Sequence, residues 1–231
     1  MPSKRSSEAG RGHRAAIFDM DGTLIDSEPL WRAAEVDVFT GVGVPLTDEM
    51  ARQTTGLTLA EVTRYWHRRH PWDHVPLAEV DRRVLTRMVE LITTQGRARP
   101  GVPDALAAVR ARGWRVALAT ASPRPLIAPV LTALALEDAF DAIVCVDDVE
   151  HGKPHPALFL EAARRLGVEP IRCVAVEDSV NGVIAAKAAR MFTIAVPEAH
   201  LLDDRRFGIA DAVFDAPGRI TPAFLDAIPP P

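Results

Sequence analysis

Four acidic side chains stand where two apolar stretches of the sequence end. Asp19 and Asp21 close the first stretch, and Glu177 and Asp178 close a much later one. Parallel strands bring their carboxyl ends to one edge of a sheet, so these acids would lie together. Like charges about 4 Å apart repel by about 4 kcal/mol at an effective dielectric of about 20, and such a cluster needs a cation. Because carboxylate oxygens select a hard ion, Asp19, Asp21, Glu177 and Asp178 are predicted to bind Mg²⁺.

Hydroxyl, amide and ammonium groups follow two further apolar stretches. Thr120, Ala121 and Ser122 come directly after one of them, and Lys153 lies in a Gly-Lys-Pro-His-Pro segment that precedes a helical pattern. A hydroxyl donor, backbone N–H groups and a positive charge are what a phosphoryl group requires. Thr120, Ala121, Ser122 and Lys153 are therefore predicted to bind the phosphate of a substrate.

Each of these motifs also has an ordinary structural explanation. Thr-Ala-Ser could be a capped turn, Lys153 an exposed loop residue, and Glu-Asp-Ser at 177–179 a helix cap. The Asp-x-Asp-Gly-Thr segment is no calcium loop, because its sixth position is Leu24 instead of glycine. The sequence has no Gly-rich P-loop, no Gly-x-Ser-x-Gly elbow and no Cys/His zinc spacing. Four motifs at four strand ends, in this order, favour a joint catalytic function.

The elements that must position these residues alternate between strand and helix. Such alternation predicts an α/β fold, a Rossmann-like parallel sheet with helices on both faces. The predicted strands are Ala15–Met20, Arg115–Ala121, Ala142–Asp147, Cys173–Glu177, Phe192–Val196 and, more weakly, Ala212–Phe214. The predicted helices between them are Val102–Arg112, Leu126–Leu136, Pro156–Leu166 and Val180–Arg190.

One segment interrupts the alternation. Residues 29–96 show helical patterns only, so we predict an inserted, all-helical cap domain there. Residues 1–28 plus 97–231 then form the α/β core, with hinges near 26–29 and 96–100, and residues 1–14 form a disordered tail. The predicted cap helices are Leu30–Phe39, Asp48–Thr54, Leu59–Arg69 and Leu77–Thr94.

The four motifs resemble the signature motifs of the haloacid dehalogenase superfamily, and the insert resembles that family's helical cap. The resemblance covers nearly the whole chain. A closer similarity, to the bacterial 2-deoxyglucose-6-phosphate or hexitol phosphatases, lies in three segments: FDMDGTLIDSEPLW at 18–31, GKPHP at 152–156 and VEDSVNG at 176–182. Tyr65-Trp66 and Pro71-Trp72 in the predicted cap belong to the same similarity.

The resemblance implies a Mg²⁺-dependent phosphatase for small sugar or sugar-alcohol phosphates. Asp19 would be the nucleophile that forms an aspartyl-phosphate, and Asp21 the general acid and base. Thr120 and Lys153 would complete the catalytic set by holding the phosphoryl oxygens, together with the Ala121 amide. The metal would bind the Asp19 carboxylate, the Asp21 carbonyl and Asp178, with Glu177 acting directly or through a water.

Substrate selection is predicted to lie in the cap, where Glu28, Trp31, Gly56 and Leu57 are candidate substrate contacts. Helix packing is an equal alternative for Trp31, and the other cap tryptophans, Trp66 and Trp72, would either fill a helical core or line the pocket mouth.

Two rival functions are compatible with parts of this pattern. A sugar phosphomutase of the β-phosphoglucomutase type would share the core residues, but its pattern has a histidine where this chain has Trp31. A non-catalytic phosphate sensor would retain the fold but need no catalytic residues, whereas this chain has a suitable residue at every expected catalytic position.

Composition excludes several partners. The net charge of −4 gives no reason to expect nucleic acid or an anionic membrane. No stretch has the length of a membrane span, and the polar, basic start lacks the apolar core of a signal peptide. Cys145 and Cys173 are predicted to be reduced, buried thiols. We therefore expect a cytoplasmic monomer whose partner is a small phosphorylated metabolite.

Overall fold

Six parallel strands form one sheet in the computed structural model, which describes residues 14–54 and 56–231. The strand order is β3-β2-β1-β4-β5-β6, which confirms the predicted α/β fold. Nearly all of the predicted tail lies outside the described residues. The strands are β1 (Ala15–Phe18), β2 (Arg115–Ala119), β3 (Ala142–Val144), β4 (Cys173–Glu177), β5 (Phe192–Ala195) and β6 (Ala212–Val213).

The helices agree with the predicted positions to within a few residues at their ends. Where the sequence predicts Asp48–Thr54 as one helix, the structure has an α-helix followed by a 3-10 turn at Arg52–Thr54. The α-helices are α1 (Glu28–Gly41), α2 (Asp48–Ala51), α3 (Leu59–Arg69), α4 (Leu77–Gln95), α5 (Val102–Arg110), α6 (Ile127–Ala133), α7 (Ala157–Leu166), α8 (Val180–Ala188) and α9 (Pro222–Ala227).

The register of the sheet sets which strand ends lie side by side. Phe18, the last residue of β1, pairs with Leu118 on one side and with Val176 on the other. The next residue, Asp19, extends the ladder because its N–H donates to the Val176 carbonyl (2.9 Å). Asp19 therefore lies level with Glu177, as strand-end reasoning predicts.

Packing divides the chain into two units. The sheet unit comprises the chain up to Leu24, Arg99–Ser122 and Asp138–Pro231, and the helical unit comprises Ile25–Ala98 and Pro123–Glu137. The predicted functional division into 1–28 plus 97–231 and 29–96 stays a prediction.

Inside the sheet unit, the core is built from the strands and the apolar face of α7. Phe159 and Leu166 of α7 pack with Ile17 of β1 and with Cys173 of β4, all almost fully buried. Cys145 is buried as well, and both cysteines are free thiols, which confirms the reduced pair.

Inside the helical unit, α4 is the central helix and packs on α1, α3 and α6. Its buried residues Val80, Val84 and Met88 recur every four positions, which places them on one face. α6, which the sequence pattern counts among the helices between the strands, packs on α4 and groups with the helical unit.

The tryptophans of the helical unit differ in burial. Trp66 and Trp72 are buried, and Trp72 makes edge contacts with the rings of Phe39 and His67. These two therefore fill a helical core, whereas Trp31 on α1 is half-buried. No helix among the described residues has both the length and the apolar character that a bilayer crossing requires.

Glu35 is a buried acid on α1, and its environment favours the protonated form. Burial raises the pKa of Glu35 from 4.5 to about 7; the nearby Glu28 adds to this shift and Arg32 opposes it. A raised carboxyl pKa contributes stability that is complete below the unfolded pKa of 4.5 and is lost as the pH rises through about 7.

We predict that Glu35→Gln removes this pH dependence. Relative to wild type, the variant should gain up to about 3 kcal/mol of unfolding free energy between about pH 5 and about pH 8, because the glutamine amide cannot ionise. Urea unfolding at the two pH values measures the difference. Glu49→Gln, at an exposed position of α2, is the control and should show no such gain. An equal wild-type-to-variant difference at both pH values would refute the prediction.

Candidate active site

Lys153 is the central charged group at the carboxyl end of the sheet. Its ammonium lies 2.5 Å from Asp19 Oδ1 and also forms an ion pair with Glu177 Oε1. All three side chains are nearly inaccessible to solvent. Burial alone would lower the pKa of Lys153, but the two carboxylates outweigh it and raise that pKa above its ordinary value. Lys153 is thus a permanently charged ammonium.

Three carboxylates surround this ammonium. Oxygen atoms of Asp19, Glu177 and Asp178 all lie within 4.8 Å of one another. Burial raises the pKa of Asp19 to about 7, although Lys153 opposes the shift, and the charges of Glu177 and Asp21 add to it. Burial and the neighbouring acids also raise the pKa of Asp178 well above its usual value.

This excess of negative charge fits a cation. Three acids face one ammonium in a buried space, and the donors are carboxylate oxygens, which hard divalent ions prefer. The residues present therefore suit a divalent metal.

Glu177 has hydrogen-bond donors on both of its oxygens. While Oε1 pairs with Lys153, Oε2 accepts from the Ser179 N–H (2.9 Å) and from the Ser179 hydroxyl (3.0 Å). The same hydroxyl accepts from the Gly182 N–H (3.0 Å) and so caps α8. Glu177 is consequently fixed by the start of α8.

The Thr-Ala-Ser segment after β2 reaches Asp21. The Ser122 hydroxyl donates to Asp21 Oδ2 (2.6 Å), and the Ser122 N–H donates to the Thr120 hydroxyl oxygen (2.9 Å). Thr120 is fully buried, whereas the neighbouring Ala121 is exposed. The structure thus brings together the second and the first predicted motif.

Asp178 lies directly against the loop that follows β1. Its Oδ1 is 3.4 Å from the Thr23 hydroxyl, which donates to it. Gly22 has a φ of +72°, and a Cβ at that position would lie 2.0 Å from Asp178 Oδ2. The loop can approach the carboxylate this closely only with glycine there. Arg99 adds a positive charge that lowers the pKa of Asp178, to a smaller extent than Lys153 does.

The remaining predicted substrate residues belong to the helical unit. Glu28 and Trp31 lie on α1, where Glu28 pairs with Arg32 (3.3 Å). Gly56 and Leu57 are exposed in the turn before α3. Contact of these four residues with a substrate stays a prediction.

Sequence reasoning missed two residues of the site and understated a third. Ser179 was interpreted only as a possible cap, yet it also holds Glu177. Gly182 and Arg99 gave no usable signal, because a glycine in a helix and an arginine in a linker are both ordinary. For Ser179, its position two residues after Glu177 and at a helix start was the available clue.

Comparison with known proteins gives consistent results. A model of the haloacid dehalogenase-like hydrolases matches residues 13–190. Hexitol phosphatase B of Escherichia coli K12 is 46% identical over 199 residues, which cover 85% of this chain and 89% of that protein. A phosphorylated carbohydrates phosphatase of Thermotoga maritima is 36% identical over 176 residues, covering 76% and 81%.

A solved structure agrees as well. CbbY from Rhodobacter sphaeroides, crystallised in complex with phosphate, superposes with a TM-score of 0.83 at 32% identity. The superposition covers 93% of this chain and 100% of CbbY.

We predict that Gly182→Ala destabilises the protein. Alanine normally stabilises a helix by about 1 kcal/mol relative to glycine. Here the added Cβ would lie 1.9 Å from the Glu177 carboxyl group, so it must displace that side chain. Overpacking of this kind costs about 1–3 kcal/mol, and we expect a net loss in urea unfolding. Gly208→Ala, where a Cβ meets nothing within 4 Å, is the control and should change stability little. A more stable Gly182→Ala protein would contradict the geometry.

Proposed function

The chain belongs to the haloacid dehalogenase-like hydrolase family, and we propose that it is a Mg²⁺-dependent phosphatase for small sugar or sugar-alcohol phosphates. The observation that carries this proposal is the charged group of Asp19, Lys153, Glu177 and half-buried Asp178 at the strand ends. Similarity to a hexitol phosphatase and to a phosphorylated carbohydrates phosphatase supports the substrate class.

Asp19 acts as the nucleophile in this proposal. One carboxylate oxygen attacks phosphorus, the bond from phosphorus to the sugar oxygen breaks, and an aspartyl-phosphate forms. Water then attacks this intermediate, which releases inorganic phosphate and restores the Asp19 carboxylate. The ion pair with Lys153 supports the role, because it keeps Asp19 in one orientation and counters the charge that builds up.

Asp21 acts as the general acid and then as the general base. It gives a proton to the departing sugar oxygen and later takes one from the attacking water. The Ser122 hydroxyl, 2.6 Å from Asp21 Oδ2, orients the carboxyl group for both transfers.

Thr120, Ala121 and Lys153 bind the phosphoryl oxygens, whereas both donors of the predicted contact Ser122 are engaged by Asp21 and by the Thr120 oxygen. An ammonium has three hydrogens, and two of those of Lys153 point to Asp19 and Glu177, which supports the third as a phosphoryl donor. Because the Thr120 oxygen accepts from Ser122, the Thr120 hydroxyl hydrogen points away from that bond and can donate to phosphate.

Asp19, Asp178 and the backbone carbonyl of Asp21 are the proposed Mg²⁺ ligands. Glu177, whose oxygens accept hydrogen bonds from Lys153 and Ser179, would act directly or through a water. When bound, the cation neutralises charge on the phosphoryl group. A small phosphorylated metabolite is the proposed partner, while the cytoplasmic location and the monomeric state stay predictions from the sequence.

We predict phosphate release from small phosphate esters that requires Mg²⁺ and Asp19. The panel comprises 2-deoxyglucose 6-phosphate, sorbitol 6-phosphate, mannitol 1-phosphate, glucose 1-phosphate and a nucleotide, each measured with Mg²⁺ and with EDTA. Asp19→Asn should lower release at least about 10³-fold, because it removes the nucleophile and keeps the shape. Asp37→Asn, at an exposed position of α1, is the matched control.

The outcomes separate the candidate functions. Faster hydrolysis of the hexitol and hexose phosphates than of the nucleotide would support the proposal. Interconversion of glucose phosphates with no change in total phosphate ester would indicate a phosphomutase. Stoichiometric binding of the esters without turnover in Mg²⁺ would indicate a sensor.

We predict that Asp21→Asn slows turnover and leaves metal binding largely intact. The amide cannot transfer the proton, and loss of a general acid and base costs about 10²–10⁴-fold in rate. The backbone carbonyl at position 21, the proposed metal ligand, remains. Mg²⁺ titration of Asp21→Asn beside Asp178→Ala measures this, and an equal loss of affinity in both variants would contradict the assigned role.

A further inference from the structure

We propose that Arg99 is a positioning residue for the metal site, holding the loop after β1 against Asp178. This inference rests on the proposed function, because it concerns the binding of that function's divalent cation. Arg99 lies where the chain re-enters the sheet unit, and its backbone N–H donates to the Leu24 carbonyl (2.8 Å).

The Arg99 guanidinium joins two loops that are distant in sequence. Nη1 donates to the Gly22 carbonyl (2.5 Å) and to the Val196 carbonyl (2.6 Å), and Nη2 donates to the Pro197 carbonyl (3.3 Å). The first carbonyl belongs to the loop after β1, and the other two belong to the loop after β5. Hydrogen bonds from a charged donor are about twice as strong as neutral ones, so this connection is a firm one.

Both loops are in direct contact with the acidic cluster. Gly22 follows Asp21 and touches Asp178, whose carboxylate oxygen occupies the space where a Cβ would be. On the other side, the Val196 N–H donates to the carbonyl of Glu177 (2.7 Å), the residue before Asp178. Arg99 therefore ties the segment that touches the Asp178 carboxylate to the segment bonded to the backbone of Glu177.

A purely structural role for Arg99 would have a different consequence. Its hydrogen bonds to three carbonyls would stabilise the unit whether or not a metal binds, and their loss would lower stability alone. If Arg99 positions the loop after β1, it also sets the distance between the Asp21 carbonyl and the Asp178 carboxylate, which are both proposed metal ligands. Removal of a residue that orients a metal ligand typically lowers metal affinity about 10–100-fold.

The experiment is a Mg²⁺ titration by calorimetry of the wild-type chain, Arg99→Met and Arg99→Lys, with urea unfolding of the metal-free proteins alongside. Met keeps an unbranched side chain and loses every donor. Lys keeps the charge but cannot span three carbonyls with a planar fork. Arg97→Met is the matched control, since exposed Arg97 lies in the same linker and its Nη1 donates to the adjacent Gly96 carbonyl.

We expect Arg99→Met to bind Mg²⁺ about 10-fold more weakly than wild type, with Arg99→Lys between the two and Arg97→Met unchanged. At limiting Mg²⁺ the Met variant should lose activity, and saturating Mg²⁺ should restore most of it. Lower stability of the variants with wild-type Mg²⁺ affinity would overturn the inference. Should Arg99→Met not fold, wild-type affinity in Arg99→Lys would overturn it equally, and reduced affinity there would support it.

Failure of the proposed function looks different in the same titration. Absence of Mg²⁺ binding in the wild-type chain would overturn both the metal dependence and the role of Arg99. Wild-type binding with no change in the Arg99 variants would overturn the role of Arg99 alone.

Discussion

The buried ammonium of Lys153, held between Asp19 and Glu177, is the interaction on which the rest of the site depends. An isolated charge at this depth would be strongly unfavourable, and the two carboxylates keep Lys153 in its charged form. One ammonium does not balance three acids, however. The same group therefore leaves a negative charge that a divalent cation can neutralise.

The surrounding backbone is arranged to keep these charges at fixed distances. The register of β1 and β4 places Asp19 level with Glu177, and Ser179 fixes Glu177 while it caps α8. Because Gly182 and Gly22 have no Cβ, the Glu177 carboxylate can contact the main chain at position 182 and the Asp178 carboxylate the main chain at position 22. Preorganisation of this kind means that little reorganisation is needed when substrate charge arrives.

The sequence predicts the parallel sheet and its motifs because both follow from local patterns. Apolar stretches end in polar residues at Asp19, Thr120 and Glu177, and a parallel sheet gathers such ends at one edge. The sheet type and three of the four acids of the predicted cluster are thus within reach of sequence reasoning.

Other features depend on contacts that leave no local pattern. Arg99 binds backbone carbonyls, which every residue has, so nothing in the sequence marks its partners. The packing of α6 on α4 has no local signature, because an apolar helical face does not specify what covers it. The raised pKa of Glu35 arises from burial of one acid within a helix that also carries exposed charges.

The position of β1 in the middle of the sheet has a consequence for how the protein is made. Ala15 pairs with Arg115 and with Cys173, so β1 meets β2 only after the helical insert has been made, and β4 only after a further long stretch of chain. Strand pairs this distant in sequence form slowly, because the entropy of closing a long loop must be lost before the pairing contacts can form. The Asp19–Lys153–Glu177 group consequently cannot exist in a nascent chain that ends before β4, and the site is complete only once that strand has been made.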